Sequence, residues 1–336
     1  MKAVEIKGSF GIDSLALTER PEPKLGPGQV VMKVKAASLN YRDLMTVKGQ
    51  YNPKQPLPLI PLSDGVGEVV DIGSGVTRVK TGDRVAGIFA QKWLAGTPSR
   101  AELRSTLGGP LDGMLAEYAV LAEDGVVHVP AHLTDEEAAT LPCAGVTAWS
   151  ALVTDGEIKA GDTVLVQGTG GVSLFALQFA KLAGARIIIT SSSDAKLERA
   201  QKLGASACVN YKSTPNWEKR VRELTDGNGV DHVVEVGGAG TFVKSLSAMR
   251  IGGHIAVIGV LSGTATSLDL IPILMQKLRV GGIMVGSRET FETMNRAISL
   301  HQLRPVVDRV FSMAEAKEAF RYMESGSHFG KICIRM

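Results

Sequence analysis

Gly168, Gly170 and Gly171 follow directly on an apolar run, TVLVQ at 163–167, and open GVSLFALQFAKL at 171–182, whose apolar residues recur at helical spacing. Glycines between a strand and a helix do one chemical job well. They let an anion approach the main chain and rest on the unpaired N–H groups of the first helical turn, here those of Gly171 and Val172. Ser173 takes the third place of the pattern G-x-G-x-x-G, small enough for the helix to pack closely on the strand. A second apolar run, RIIIT at 186–190, begins about 20 residues further on, the spacing of a unit that binds the pyrophosphate of a dinucleotide.

The end of that second run selects the dinucleotide. An NAD site usually places Asp or Glu there to accept from the ribose 2′-hydroxyl, whereas this chain reads SSSDAK, with Ser191 in the acid's place. Ser191 and Ser192 can donate to a 2′-phosphate, and Lys196 adds a compact positive charge. The sequence therefore predicts NADPH, with NADH as the other possibility. A plainer use of the segment is that Ser193 and Asp194 cap the next helix while Lys196 is solvated.

The elements that hold these residues fall into two styles. Up to about residue 125, QVVMKVKAA, GVGEVVDIG, LAEYAVL and DRVAGIF read as short strands between Gly, Pro and Asp turns. From about Thr134, strands (TVLVQG, RIIIT, ACVNY, HVVEVG, HIAVIGV) alternate with helical runs (DEEAATLPCAGVTAWSAL, GVSLFALQFAKLAG, SDAKLERAQKLG, TFVKSLSAMR), the rhythm of a parallel sheet covered on both faces. Composition excludes several classes. With 37 Lys and Arg against 34 Asp and Glu, interspersed, there is no basic stripe for nucleic acid. Three scattered cysteines, Cys143, Cys208 and Cys333, supply neither a disulfide framework nor a four-cysteine metal lobe. Without an apolar leader or spanning run, a cytoplasmic protein acting on a small molecule is expected.

These segments, taken with SLNYRDLMTVKGQY, IPLSDGVGEVVDIGSGVTRVKTGDRV, LPCAGVTAWSAL and the terminal GKICIRM, resemble the medium-chain dehydrogenase/reductase superfamily, in its zinc-independent quinone oxidoreductase and alcohol-dehydrogenase-like branch. The resemblance implies an α/β protein: a GroES-like β-barrel catalytic domain (1–124, completed by 287–336) and a Rossmann doubly wound domain (125–286). It implies a 2′-phosphate site at Ser192, Lys196 and Tyr211, a cofactor contact at Thr147, and a loop through Gly259 and Val260 that passes the nicotinamide. In GGIMVGSRETF it implies the last Rossmann strand, with Arg288 facing cofactor or solvent, and in relatives that strand often builds a homodimer.

The zinc enzymes of that superfamily use a Cys, a His and a later Cys or acid. This chain offers Asn40, Ser63 (followed by Asp64) and Cys143, a set that does not suit Zn²⁺. None of the six histidines forms an H-x-x-x-H pair. The resemblance puts Asn40, Tyr51 and Asp64 at the reacting end, with Asn40 a hydrogen-bond donor to the substrate and Tyr51 a donor or a wall. Without a metal, conjugate reduction is the easier chemistry, because charge spreads into an enolate or hydroquinone that donors can hold. The expectation is hydride transfer from NADPH to a quinone or α,β-unsaturated carbonyl. The alternatives are a metal-free alcohol or aldehyde dehydrogenase and a non-catalytic, crystallin-like NADPH-binding protein.

Overall fold

The computed structural model describes all residues, 1–336. The chain packs as two units, Met1–Val146 with Gly286–Met336, and Thr147–Val285.

The first unit contains β1 (Lys2–Ile6), β2 (Leu15–Glu19), β3 (Gln29–Ser38), α1 (Tyr41–Val47), β4 (Asp64–Ile72), β5 (Arg84–Gly87), α2 (Arg100–Leu103), β6 (Tyr118–Ala122), β7 (Val126–His128) and α3 (Asp135–Ala139). Its sheet runs β14-β15-β3-β4-β5-β7, with β6 also on β3, where β14 is Val307–Ser312 and β15 is Lys331–Arg335. The alternation in QVVMKVKAAS turns Val30, Met32 and Val34 into a core with Leu44, Val47, Leu62, Phe320, Ile332 and Ile334. Each such side chain contributes roughly 1.5–3 kcal/mol by leaving water. At Gly67, a Cβ would lie 2.1 Å from the Lys33 carbonyl oxygen, so β3 and β4 could not approach as they do with any other residue. The last strand returns antiparallel to β3 with Cys333 opposite Ser38, a register that carries Lys331 to the neighbourhood of Asn40.

The second unit alternates strictly after α4 (Val146–Trp149): β8 (Thr163–Gln167), α5 (Gly171–Leu182), β9 (Arg186–Ser191), α6 (Asp194–Leu203), β10 (Ala207–Asn210), α7 (Trp217–Leu224), β11 (Val230–Glu235), α8 (Phe242–Ala248), β12 (Met249–Val257), α9 (Ile271–Met275) and β13 (Arg279–Gly282). All six strands are parallel, in the order β10-β9-β8-β11-β12-β13. That is the doubly wound arrangement, and its direction of winding reverses between β8 and β11, where open sheets of this kind bind ligands. Leu165, Ile188, Val233 and Ile255 pack on Trp217, Val221 and Leu246. From α5, Phe179 meets Trp149 edge-on at 5.2 Å.

Three expectations need correction. The boundary lies after Val146 rather than residue 124, because β7 pairs with β5 and α3 packs on β3 and β4. The run DEEAATLPCAGVTAWSAL is not one regular helix. The turns at Leu141–Gly145 and Ser150–Thr154 widen on either side of α4. The last Rossmann strand ends at Gly282, and SRETF instead caps and opens α10 (Arg288–His301) in the first unit, with Ser287 as its cap. Arg288 there pairs with Asp124 at 2.6 Å, so it belongs to neither cofactor nor open solvent. One further helix, α11 (Ala316–Glu324), follows β14. No helix is long and apolar enough to cross a membrane.

A buried imidazole pair on β11 and β12 gives the second unit a pH-dependent term. His232 and His254 are register partners with ring centroids 6.0 Å apart, and His232 Nε2 lies 3.0 Å from Asp162 Oδ2. Burial, then the neighbouring His232 and Arg279, push the His254 pKa down from 6.5 to about 4. The native state therefore holds His254 neutral while the unfolded chain protonates it, and stability is lost as pH falls from 6.5 towards 4. Thermal denaturation of His254→Phe should show a smaller loss between pH 7 and pH 4 than the parent, by on the order of 2 kcal/mol. Parallel pH profiles would contradict this reading.

Candidate active site

In the first unit, Ser38, Asn40, Asp43, Ser63, Asp64 and Lys331 form a polar cluster, each of them buried. Four elements bring them together: the end of β3, the first turn of α1, the start of β4 and the first residue of β15. Asn40 is the N-cap of α1, with its main-chain N–H held by Asp43 Oδ2 at 2.8 Å. Its side chain is spent elsewhere. Oδ1 accepts from Lys331 Nζ at 2.6 Å, and Nδ2 donates to Ser63 Oγ at 3.4 Å. Ser63 Oγ in turn donates to Asp64 Oδ1 at 2.7 Å, while Asp64 Oδ2 accepts from the Cys143 N–H at 3.2 Å and from Ser38 Oγ at 3.4 Å.

Leu62 helps place this chain of bonds. Its φ of 73° is left-handed, uncommon for a branched side chain, and it turns the main chain sharply just before Ser63. Burial raises the Asp64 pKa, opposed by the Lys331 charge and by the Asn40, Ser63 and Cys143 donors. The Asp43 carboxyl is pushed up to about 6 by burial, against the pull of Arg42. Arg42 reaches Asp43 Oδ1 at 3.4 Å but donates mainly to the carbonyls of Leu107 and Gly109, at 2.7 and 3.0 Å. Its guanidinium also lies 4.9 Å from the Tyr51 ring centroid and 5.2 Å from that of Phe89.

The structure therefore joins two of the three predicted reacting-end residues, Asn40 and Asp64. Tyr51 is placed apart from them, half-exposed, with its ring against the Arg42 guanidinium. Asp64 supports Ser63 and Asn40 from behind. Lys331 lies in the terminal GKICIRM, a segment that on sequence serves only the resemblance, so its place here is missed. A lysine opening the otherwise apolar run KICI is the one signal the sequence offers.

These donors do not fit a zinc ion. The one amide oxygen faces an ammonium, the Ser63 hydroxyl is committed to a carboxylate, and burial raises the Cys143 thiol far above its ordinary range, so it stays protonated. No three His, Cys, Asp or Glu side chains converge as a metal site anywhere in the chain.

In the second unit, Gly168 has φ 72°, and a Cβ added at Gly170 would meet nothing within 4 Å, so the main chain faces open space. No side chain caps α5, which leaves the first-turn N–H groups of Gly171 and Val172 for a ligand. Ser173 is buried and donates to the Gln167 carbonyl at 2.7 Å, tying helix to strand as its small size promised. This cradle fits a pyrophosphate. Beneath it lies the fully buried Glu235, unread in the sequence, which accepts from the N–H groups of Gly237 and Gly238 at 2.8 and 3.0 Å. Gln167, Thr241 and Ser245 donate to the same carboxylate, joining the end of β8 to the turn after β11. The loop holding Gly259 and Val260 is laced to that turn through Gly259 N–H to Glu235 O and Ser262 N–H to Gly237 O, with Val260 exposed.

At the end of β9, Ser191 is buried and its hydroxyl accepts from the Ser193 N–H at 3.4 Å. It braces the turn from the last residue of β9, where it pairs with Asn210 of β10. Ser193 caps α6, as its alternative reading had it. Ser192 and Lys196 remain partly exposed, and exposed Tyr211 directly follows β10, its N–H bonded to the Ser191 carbonyl. Thr147 is buried in α4.

Comparison with known proteins places this geometry. Residues 26–131 match the alcohol dehydrogenase GroES-like domain, and residues 171–299 match the zinc-binding dehydrogenase family. A zinc-type alcohol dehydrogenase-like protein of Schizosaccharomyces pombe is 45% identical over 97% of this chain and 96% of its own length. The acryloyl-coenzyme A reductase of Metallosphaera sedula is 28% identical, covering 99% of both chains. Among solved structures, an NAD-dependent alcohol dehydrogenase superposes with a TM-score of 0.92 at 36% identity over 100% of both chains. A mycobacterial protein, Rv1454c, complexed with NADPH, gives 0.84 at 27% identity over 100% of both. With both halves of its length matched in order, the chain belongs to the medium-chain dehydrogenase/reductase superfamily of NAD(P)-dependent oxidoreductases, as a GroES-like unit joined to a Rossmann unit.

Proposed function

We propose that this oxidoreductase is a zinc-independent reductase that transfers hydride from NADPH to a quinone or an α,β-unsaturated carbonyl. The observation that carries the reading is the Asn40 amide, oriented by a buried ammonium where a Lewis acid would otherwise be needed. Hydride reaching the β-carbon of an enone breaks the C=C π bond and leaves an enolate. The oxygen of that enolate takes a hydrogen bond from Asn40 Nδ2, and a solvent proton completes the α-carbon, giving NADP⁺ and the saturated carbonyl. An isolated alkoxide, the product of simple ketone reduction, would need a full proton, and the Lys331 ammonium is committed to Leu39 O and Asn40 Oδ1. One relative is named an acryloyl-coenzyme A reductase, and an acryloyl thioester is an α,β-unsaturated carbonyl compound, which supports the same reading. The alcohol dehydrogenase names among them favour a second one, alcohol or aldehyde oxidation with NAD(P)⁺, which the unsuitable zinc donors here would make metal-free.

Enzyme dialysed against chelator should oxidise NADPH with 1,4-benzoquinone or a simple enone well above background. Asn40→Ala should lower kcat/KM by about 10²-fold. Turnover confined to alcohols, or restored only by added zinc, would select the second reading.

For the cofactor, Lys196 and Tyr211 flank the missing acid at the end of β9. Lys196→Ala should weaken NADPH binding about tenfold and leave NADH binding within about twofold, as read by quenching of protein fluorescence. Equal losses for both would remove the 2′-phosphate assignment.

The same reading extends to assembly and location. β13 is an edge strand without a partner on its outer side, beside exposed Leu270, Ile271, Leu274 and Met275. A second copy pairing along that edge would cover both the strand and the apolar patch. Light scattering should find a homodimer at micromolar concentration and a monomer for Leu274→Glu with Met275→Glu, whereas a monomeric parent would refute it. Three free thiols suit the cytoplasm.

A further inference from the structure

We infer that Lys331 is a positioning residue for the acceptor, locking the Asn40 carboxamide in the one orientation that turns its N–H donors towards substrate. The inference rests on the proposed reductase reading and deepens it.

Lys331 is 4% exposed, and its Nζ donates to Leu39 O at 2.5 Å and Asn40 Oδ1 at 2.6 Å. A buried lysine is rare without a carboxylate in contact, and here the two oxygens it touches are both neutral. Asp64 and Asp43 compensate its charge from further off. An ammonium has donors and no acceptor, so it can face only the oxygen of an amide. That fixes the far side of Asn40 as Nδ2, which carries two hydrogens. One goes to Ser63 Oγ. Ser63 cannot return the favour, because its own hydrogen is committed to Asp64 Oδ1 at 2.7 Å.

The bonds therefore all point one way, from the ammonium through amide and hydroxyl to a carboxylate, and each polarises the next. The second Nδ2 hydrogen lies on the Asp64 side of the amide, and an acceptor oxygen would take it in competition with that carboxylate. A cation behind the amide makes that hydrogen a better donor as negative charge builds on the acceptor. Without the ammonium, the amide could reverse and present its oxygen to a developing enolate, which would repel it.

Lys331→Met removes the charge and keeps the length, while Lys331→Arg keeps the charge but alters its shape. Lys331→Met should lower kcat for enone reduction about 30-fold with NADPH affinity within about twofold, and Lys331→Arg should recover part of the loss. In an Asn40→Ala background, Lys331→Met should cost less than about threefold, because its effect runs through the amide. A full additional loss, or a tenfold weakening of NADPH binding, would overturn the inference while leaving the reductase reading intact.

A second readout does not need turnover. The Asn40 side-chain amide pair in a ¹⁵N–¹H spectrum, identified by its disappearance in Asn40→Ala, should be one sharp pair in the parent and should shift and broaden in Lys331→Met or Lys331→Arg. An unmoved pair overturns the inference. An enzyme that reduces no conjugated acceptor but shows the shift overturns the reductase reading alone.

Discussion

One charge-assisted hydrogen bond, from the Lys331 ammonium to the Asn40 amide oxygen, organises the barrel side of this protein. The rest of the cluster follows from the need to bury that charge. Asp64 and Asp43 balance it, both held as buried carboxyls by main-chain and hydroxyl donors. The left-handed turn at Leu62 and the antiparallel return of β15 bring Ser63 and Lys331 to either side of one amide. On the proposed reading this ammonium acts on the acceptor through an amide, an arrangement that suits delocalised anions better than alkoxides.

The nucleotide side is built on the opposite principle. There no cation is buried with the central carboxylate. Glu235 is satisfied by N–H and hydroxyl donors alone, and it fixes the turns that surround an uncapped helix start. The result is a rigid frame beneath a loop with open space above Gly170. Rigid support under an unfilled cradle suits a large, anionic cofactor that must be held in one pose.

How much of this was legible in the sequence depended on distance along the chain. The glycine turn, the strand before it and the helix after it are contiguous, so local pattern was enough to predict dinucleotide binding and the parallel sheet. Asn40 and Asp64 could be named because each lies in a recognisable segment. Lys331 could not, since its partner is 291 residues away and only the register of β15 on β3 brings the two together. The burial of Ser191 was hidden for a related reason: residue type suggests a donor, whereas its exposure follows from the pairing of β9 with β10. The segment 125–146 goes with the nucleotide unit on sequence because the helical rhythm begins within it, at about Thr134. Packing against β3 and β4 decided otherwise.

The central claim is that hydride moves from the nicotinamide to a conjugated carbon without a bound metal. Its most direct test is to follow deuterium from 4-deuterated NADPH into the product of a simple enone, using chelator-dialysed enzyme and NMR to locate the label. The account predicts deuterium at the β-carbon of a saturated ketone. Deuterium on the carbonyl carbon of an allylic alcohol, or transfer only after zinc is restored, would contradict it.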